Sequence, residues 1–226
     1  AFVSGHSLGE YSALVAAGAI HLEDAVRLVR RRGQYMQETV PAGEGAMAAL
    51  LGIELAAVEA LCSEAAQGGV VSPATLNSPG QIVIAGHAPA VQRALELAKL
   101  RGAKRAILLN VSAPFHCALM KPAADRLAVD LDALAISEPE AQLVNNADAE
   151  ITRSPAVIRN GLRRQVTAPV RWAESMQKLI AEGVELFIEV GPGKVLSGLM
   201  RQIDRNARCL HVEDPESLDE VLAALA

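Results

Sequence analysis

Gly5-His6-Ser7-Leu8-Gly9 fits the pattern G-x-S-x-G, which sets a serine on a strained turn between a strand and a helix with its hydroxyl exposed above the sheet. Glycines on both sides let the backbone turn and let neighbouring elements approach closely. The Leu8 N–H, at the start of the following helix, is a donor for a developing oxyanion. A serine so placed needs a general base, and the histidines are His6, His21, His87, His116 and His211. His6 adjoins the serine and is expected to point elsewhere. His21 and His87 sit at or near helix starts, where capping and solvation account for them. Two remain: His116, in Ser112-Ala113-Pro114-Phe115-His116 at the start of a helix, and His211, in the last strand. The residues alone leave the choice between them open.

Arg32 is the most informative charge. The helix from about Leu22 to Gln37 carries a stripe of Leu22, Ala25, Val26, Val29, Gly33 and Met36, and Arg32 lies three residues after Val29 and four before Met36, on the inward side. Arg27, Arg30 and Arg31 can turn to solvent. An inward guanidinium needs an anion, either an Asp or Glu of the chain or the carboxylate of a substrate, and periodicity does not decide between them. Gly191-Pro192-Gly193-Lys194 lacks the spacing and the Ser or Thr of a P-loop, and Leu196 stands where a dinucleotide fingerprint has its third glycine, so it is a turn.

The elements that must position these residues follow from pattern. Residues 1–4 are a strand that turns at Gly5 into a helix over Leu8–Ala17. From Gly45 to about Asn110 the order is strand, helix, strand, strand, helix, strand, with Asn77-Ser78-Pro79-Gly80 as the central turn, which is the ferredoxin-like βαββαβ order. Residues 44–110 are therefore expected to be an inserted small domain. Residues 1–43 and 111–226 alternate strands and helices and are expected to form one α/β core with a mainly parallel sheet.

Composition excludes several classes of function. Of the 226 residues 51% are hydrophobic, and 21 Lys and Arg against 26 Asp and Glu give a net charge of −5. Such a balance argues for a globular protein and against a nucleic-acid binder, which usually carries a net basic face. The longest charge-free apolar run, Tyr11 to Ile20, falls short of the roughly 20 residues of a membrane-spanning helix. Cys62, Cys117 and Cys209 are widely spaced and form no C-x-x-C pair, so neither a disulfide framework nor a metal site is expected, and a cytoplasmic location fits. No signal peptide is visible. Ala1-Phe2-Val3 reads as a strand already under way, which leads to the expectation that an N-terminal piece is missing.

Gly5-His6-Ser7-Leu8-Gly9-Glu10-Tyr11-Ser12-Ala13-Leu14, Arg32-Gly33, Asn77-Ser78-Pro79-Gly80-Gln81, Phe115-His116 and Glu189-Val190-Gly191-Pro192-Gly193 together closely resemble the malonyl-CoA:acyl carrier protein transacylase family over nearly the whole chain. The resemblance implies an α/β-hydrolase-like core with a ferredoxin-like insertion, and transfer of malonyl from malonyl-CoA to the thiol of acyl carrier protein with no cofactor. It implies Ser7 as the acylated residue, His116 as its base and Leu8 as an oxyanion donor. Arg32 becomes the partner of the malonyl carboxylate, and the main-chain carbonyl of Gln165 the group that orients the histidine. Phe115 matches the aromatic residue that goes with unbranched malonyl units. Lys99, Arg101, Lys104, Arg105, Arg163, Arg164 and Lys194 could steer an acidic carrier protein. A monomer is expected.

Family members carry further elements before the serine turn, including a Gln-containing loop with a second oxyanion donor, so residues 1–226 resemble a fragment expected to be less active. Two rivals stand beside this reading. One is a serine esterase or thioesterase using His211 with Asp204 as its acid, and the other a carrier-binding remnant without turnover.

Overall fold

The computed structural model describes residues 1–225, which fall into two compact units, Ala1–Ser175 and a second beginning at Met176. In the first unit a two-residue strand β1 (Phe2–Val3) leads through the serine turn into α1 (Gly9–Ala16). β1 pairs in parallel with β6 (Gln142–Val144), Val3 opposite Leu143, and β6 pairs antiparallel with β7 (Ile151–Thr152). α2 (Leu22–Thr39) buries Ala25, Leu28, Arg32 and Met36, spaced three or four apart on one face. This face joins Tyr11, Leu14, Leu127, Leu131, Ile158 and Leu162 in a core shared by α1, α2, α5 (Lys121–Ala133) and α6 (Pro155–Gln165). The stripe expected from sequence is rotated: Leu22 and Val26 are exposed, and Leu28 takes their place. The inward position of Arg32 survives the rotation because it lies four residues after Leu28.

The middle of the first unit has its own sheet. β2 (Gly45–Leu51), α3 (Leu55–Ala66), β3 (Val71–Ser78), β4 (Gln81–His87), α4 (Ala88–Leu100) and β5 (Arg105–Leu108) follow in sequence, and the strands lie side by side as β3-β4-β2-β5, all antiparallel. Alternate residues divide the two faces, as the period of two requires. Ala48, Leu50, Ile82 and Ile84 pack on Val58, Leu61, Val91 and Leu95 of α3 and α4. Met47, Val83 and Ala85 face the other way, toward Phe115 and Cys117. The β3–β4 turn is shorter than the sequence suggested: Ser78 pairs with Gln81, so only Pro79 and Gly80 form it, with Gly80 at φ 71°. Pro before a positive-φ Gly favours such a two-residue turn, and it leaves Asn77 inside the strand with a side chain available for the cleft.

In the second unit β8 (Leu186–Val190) pairs in parallel with β9 (Arg208–Val212), flanked by α8 (Val195–Ile203) and α9 (Pro215–Leu225). α7 (Trp172–Ala181) runs across the boundary. Gly191-Pro192-Gly193 is a turn, and the Glu189 carboxylate accepts the Leu196 and Ser197 N–H groups at the start of α8. The protein is thus α/β with mixed sheets. The mainly parallel sheet expected of the outer segments is found only in part: the first unit pairs β1 with β6 in parallel but β7 antiparallel on β6, and the second unit pairs β8 with β9 in parallel. Among the described residues no helix is long and apolar enough to cross a membrane, and no group of three or more His, Cys, Asp or Glu side chains could hold a metal ion.

Two glycines of the serine turn differ sharply in what they tolerate. A Cβ on Gly5 would lie 2.0 Å from the Gly9 carbonyl oxygen, whereas a Cβ on Gly9 meets nothing within 4 Å. Gly5→Ala should therefore cost about 2 kcal/mol or more, since backbone has to move, while Gly9→Ala should stay within about 1 kcal/mol of the parent. Thermal unfolding of the two variants checks this, and equal losses would contradict it.

Candidate active site

Ser7 occupies the turn between β1 and α1 at φ 53°, a left-handed conformation that costs a non-glycine residue free energy. Its surroundings hold it there. The Ser7 N–H donates to Asn146 Oδ1 at 2.7 Å, and Asn146 Nδ2 donates to the Gly5 carbonyl at 2.8 Å. The N–H groups of Gly9, Glu10 and Tyr11 close onto the carbonyls of His6, Ser7 and Leu8. Of the amides from Ser7 to Tyr11, that of Leu8 is the one these bonds do not engage.

The structure brings His116 to the serine. Ser7 Oγ and His116 Nε2 are 2.7 Å apart, and His116 Nδ1 lies 2.8 Å from the main-chain carbonyl of Gln165. A carbonyl only accepts, so Nδ1 carries the proton and Nε2 is the acceptor for the serine hydroxyl. His116, itself at φ 58°, is buried. Burial and then the nearby Arg32 charge push its pKa down to about 3, so the imidazole is neutral at pH 7 and free to accept a proton. The adjacent Cys117 is no competing nucleophile, because burial pushes its thiol up to about 11.

Arg32 reaches the same oxygen. Its Nη2 donates to Ser7 Oγ at 3.0 Å and to Gln165 Oε1 at 3.1 Å, both uncharged acceptors. Its buried Nε has no partner among the described residues. Of the two anions that the sequence allowed for, the internal one is therefore not hydrogen-bonded to it, and the guanidinium keeps donors for an incoming anion. Ser7, Arg32 and His116 line a cleft of about 380 Å³ whose apolar walls include Met36, Met47 and Phe115. A hydroxyl, a neutral imidazole, a cation and a free amide so arranged can form and break an ester while binding a carboxylate close by.

Gln165 does more than the sequence suggested. Besides its main-chain bond to His116, its side-chain Nε2 donates to the Ser7 carbonyl at 3.0 Å and to Glu10 Oε2 at 2.8 Å. Glu10, fully buried, also accepts the Asn146 N–H at 3.0 Å. Burial pushes its carboxyl up to about 7, against the opposing hydrogen bonds from Gln165 and Asn146 and the Arg32 charge. Sequence reasoning gave Glu10 and Asn146 no role. The available signal for Glu10 was an acid on the first turn of a short, otherwise apolar helix. His6 turns from the serine, its Nε2 2.9 Å from Asn77 Oδ1 and its ring 5.6 Å from that of Trp172.

The alternative base, His211, belongs to the second unit, where its Nε2 lies 3.6 Å from Glu213. Asp204, its suggested acid, instead accepts the Asn206 N–H. Four of the seven basic residues singled out for docking are already paired: Arg101 with Glu64, Arg163 with Asp132, Arg164 with Asp148 and Lys194 with Glu213.

Comparison with known proteins agrees with this geometry. Residues 1–214 match the acyl transferase domain family. The malonyl CoA-acyl carrier protein transacylase of Bacillus subtilis is 52% identical over 225 residues, 99% of this chain and 71% of that protein. A crystal structure of an acyl carrier protein S-malonyltransferase from Vibrio cholerae superposes with a TM-score of 0.96 at 52% identity, covering 98% of this chain and 72% of the other. A malonyl-transacylase in complex with its type II PKS acyl-carrier protein gives a TM-score of 0.96 at 49% identity, with the same two coverages. On matched residues, identity and fold alike, the chain belongs to the malonyl CoA-acyl carrier protein transacylase family of acyl transferases.

Proposed function

We propose that the protein transfers malonyl from malonyl-CoA to the phosphopantetheine thiol of acyl carrier protein through an ester on Ser7. The observation that carries this reading is the convergence on one oxygen, Ser7 Oγ, of a neutral imidazole acceptor at 2.7 Å and a guanidinium donor at 3.0 Å. His116 Nε2 takes the hydroxyl proton as Oγ attacks the thioester carbonyl. The negative charge that develops on the carbonyl oxygen is met by the Leu8 N–H. The C–S bond then breaks, the proton passes from His116 to the departing sulfur, and the acyl group remains on Ser7. In the second half the carrier thiol gives its proton to His116, its sulfur attacks the ester carbonyl, and Ser7 regains the proton as the C–O bond breaks. Arg32 pairs with the distal carboxylate throughout, exchanging its contact with Oγ for a charged partner. Phe115, half-buried in the cleft wall, limits the space beside the malonyl methylene.

The finer architecture fits the same proposal. The order β3-β4-β2-β5 with α3 and α4 on one face supports a ferredoxin-like insertion over residues 44–110. With four basic side chains already paired, Lys99, Lys104 and Arg105 are the ones best suited to steer an acidic carrier protein.

Malonyl-CoA followed by proteolysis and mass spectrometry should place the adduct on the peptide holding Ser7, and an adduct elsewhere would overturn the reading. His116→Ala should lower transfer about 100-fold or more, with His211→Ala near the parent rate. Arg32→Ala should lower malonyl transfer by about 10-fold or more relative to acetyl transfer, because only malonyl carries the charge that Arg32 meets. Equal losses for both acyl groups would make Arg32 a structural residue.

A further inference from the structure

Glu10 lies outside the chemistry proposed above, yet it is the buried anchor of the atoms around it. Its Oε2 accepts two N–H groups, from the Asn146 backbone and from the Gln165 side chain, while Oε1 is buried with no partner among the described residues. Each of those two residues reaches the serine turn: Asn146 through the Ser7 N–H and the Gly5 carbonyl, Gln165 through the Ser7 carbonyl. An amide can face its neighbours in two ways, and the donors and acceptors around Gln165 permit only one. Arg32 only donates, so Oε1 must face it; the Ser7 carbonyl and Glu10 Oε2 accept, so Nε2 must face them. A proton on Glu10 Oε1 would leave this intact, because both N–H groups meet Oε2.

We infer that Glu10 is a positioning residue for acyl-group selection: its carboxylate, together with the Ser7 carbonyl, anchors the Nε2 end of the Gln165 amide, and the amide oxygen in turn holds the Arg32 guanidinium at Ser7. The inference deepens the reading of Arg32 given above and rests on it. Glu10 touches no substrate in this scheme. With a leucine at position 10 the amide loses the carboxylate that accepts from its Nε2 and leans on the Ser7 carbonyl instead, so the Oε1 that meets Arg32 is held less firmly. The guanidinium would lose its fixed place, and the group that meets a distal carboxylate would suffer more than the group that attacks the thioester.

The test compares malonyl-CoA with acetyl-CoA as donors for the parent, Glu10→Leu, Gln165→Met and the double variant, each checked for folding by thermal unfolding. Gln165→Met keeps the main-chain carbonyl that holds His116. Glu10→Leu should lower the malonyl-to-acetyl ratio of kcat/KM by about 10-fold, the scale of a hydrogen bond to a charged group. Gln165→Met should lower it similarly, and the double variant should be no worse in this ratio than Gln165→Met alone, since both act through one amide. An unchanged ratio in Glu10→Leu, whether neither donor suffers or both suffer equally, or multiplying losses in the double variant, would overturn the inference. If Glu10→Leu does not fold, the test falls to Gln165→Met: a reduced ratio supports the amide relay, and an unchanged ratio overturns it. Arg32→Ala serves as the control. An unchanged ratio there would mean that the reading of Arg32 fails, whatever Glu10 does.

Discussion

The hydrogen bond from His116 Nδ1 to the main-chain carbonyl of Gln165 decides what the rest of the site can do. A backbone carbonyl cannot donate and cannot titrate in the working range, so it commits the imidazole to one tautomer. Nε2 is then bare and aimed at Ser7 Oγ. In many serine enzymes a carboxylate does this job and also stabilises the imidazolium formed during attack. Here a backbone carbonyl stands in that place, and a guanidinium lies close by. The same arrangement keeps the resting histidine neutral, through burial first and the Arg32 charge second.

That choice explains several features that would otherwise be costs without return. Ser7 and His116 both adopt left-handed backbone conformations that L-residues rarely hold, and each is fixed by bonds from distant parts of the chain. Strain of this kind persists only when surrounding structure over-determines it. The Asn146 side chain spans the turn from the Gly5 carbonyl to the Ser7 N–H, and the end of α6 supplies both the carbonyl for His116 and the amide for Arg32 and Glu10. Three segments far apart in sequence, around residues 5–10, 145–146 and 165, thus form one polar cluster beneath the cleft. Buried polar groups are tolerated when they satisfy one another, and such a cluster specifies a single geometry.

Much of this was legible in the sequence because it has local causes. The glycines around Ser7 announce a turn, and the βαββαβ order is written in alternating and 3.6-residue patterns. The inward position of Arg32 followed from its offset to Met36, although the stripe itself was mis-phased: Leu28, not Val26, faces the core. The pairing of His116 rather than His211 with Ser7 was not a local property, and the resemblance to a family, not periodicity, pointed to it. The side-chain work of Gln165, Glu10 and Asn146 stayed hidden for the same reason, since a buried amide or acid has no spacing rule and its meaning lies in partners 133 to 158 residues away. The turn at Pro79-Gly80 shows the opposite limit. Its chemistry was plain, yet which of its four residues remained in the strand depended on pairing between Ser78 and Gln81.

The central claim is that His116 is held as a neutral imidazole with its proton on Nδ1 and Nε2 open to Ser7. Ring 15N–1H correlation spectroscopy of the folded protein, followed from pH 7 down to pH 5, reads both the tautomer and the charge. The account predicts a protonated Nδ1 and a bare Nε2 throughout that range, with the onset of protonation moved toward neutral pH in Arg32→Ala because a nearby cation is gone. A ring that takes up its second proton near the model-peptide value of about 6.5, or that carries its single proton on Nε2 at pH 7, would contradict it.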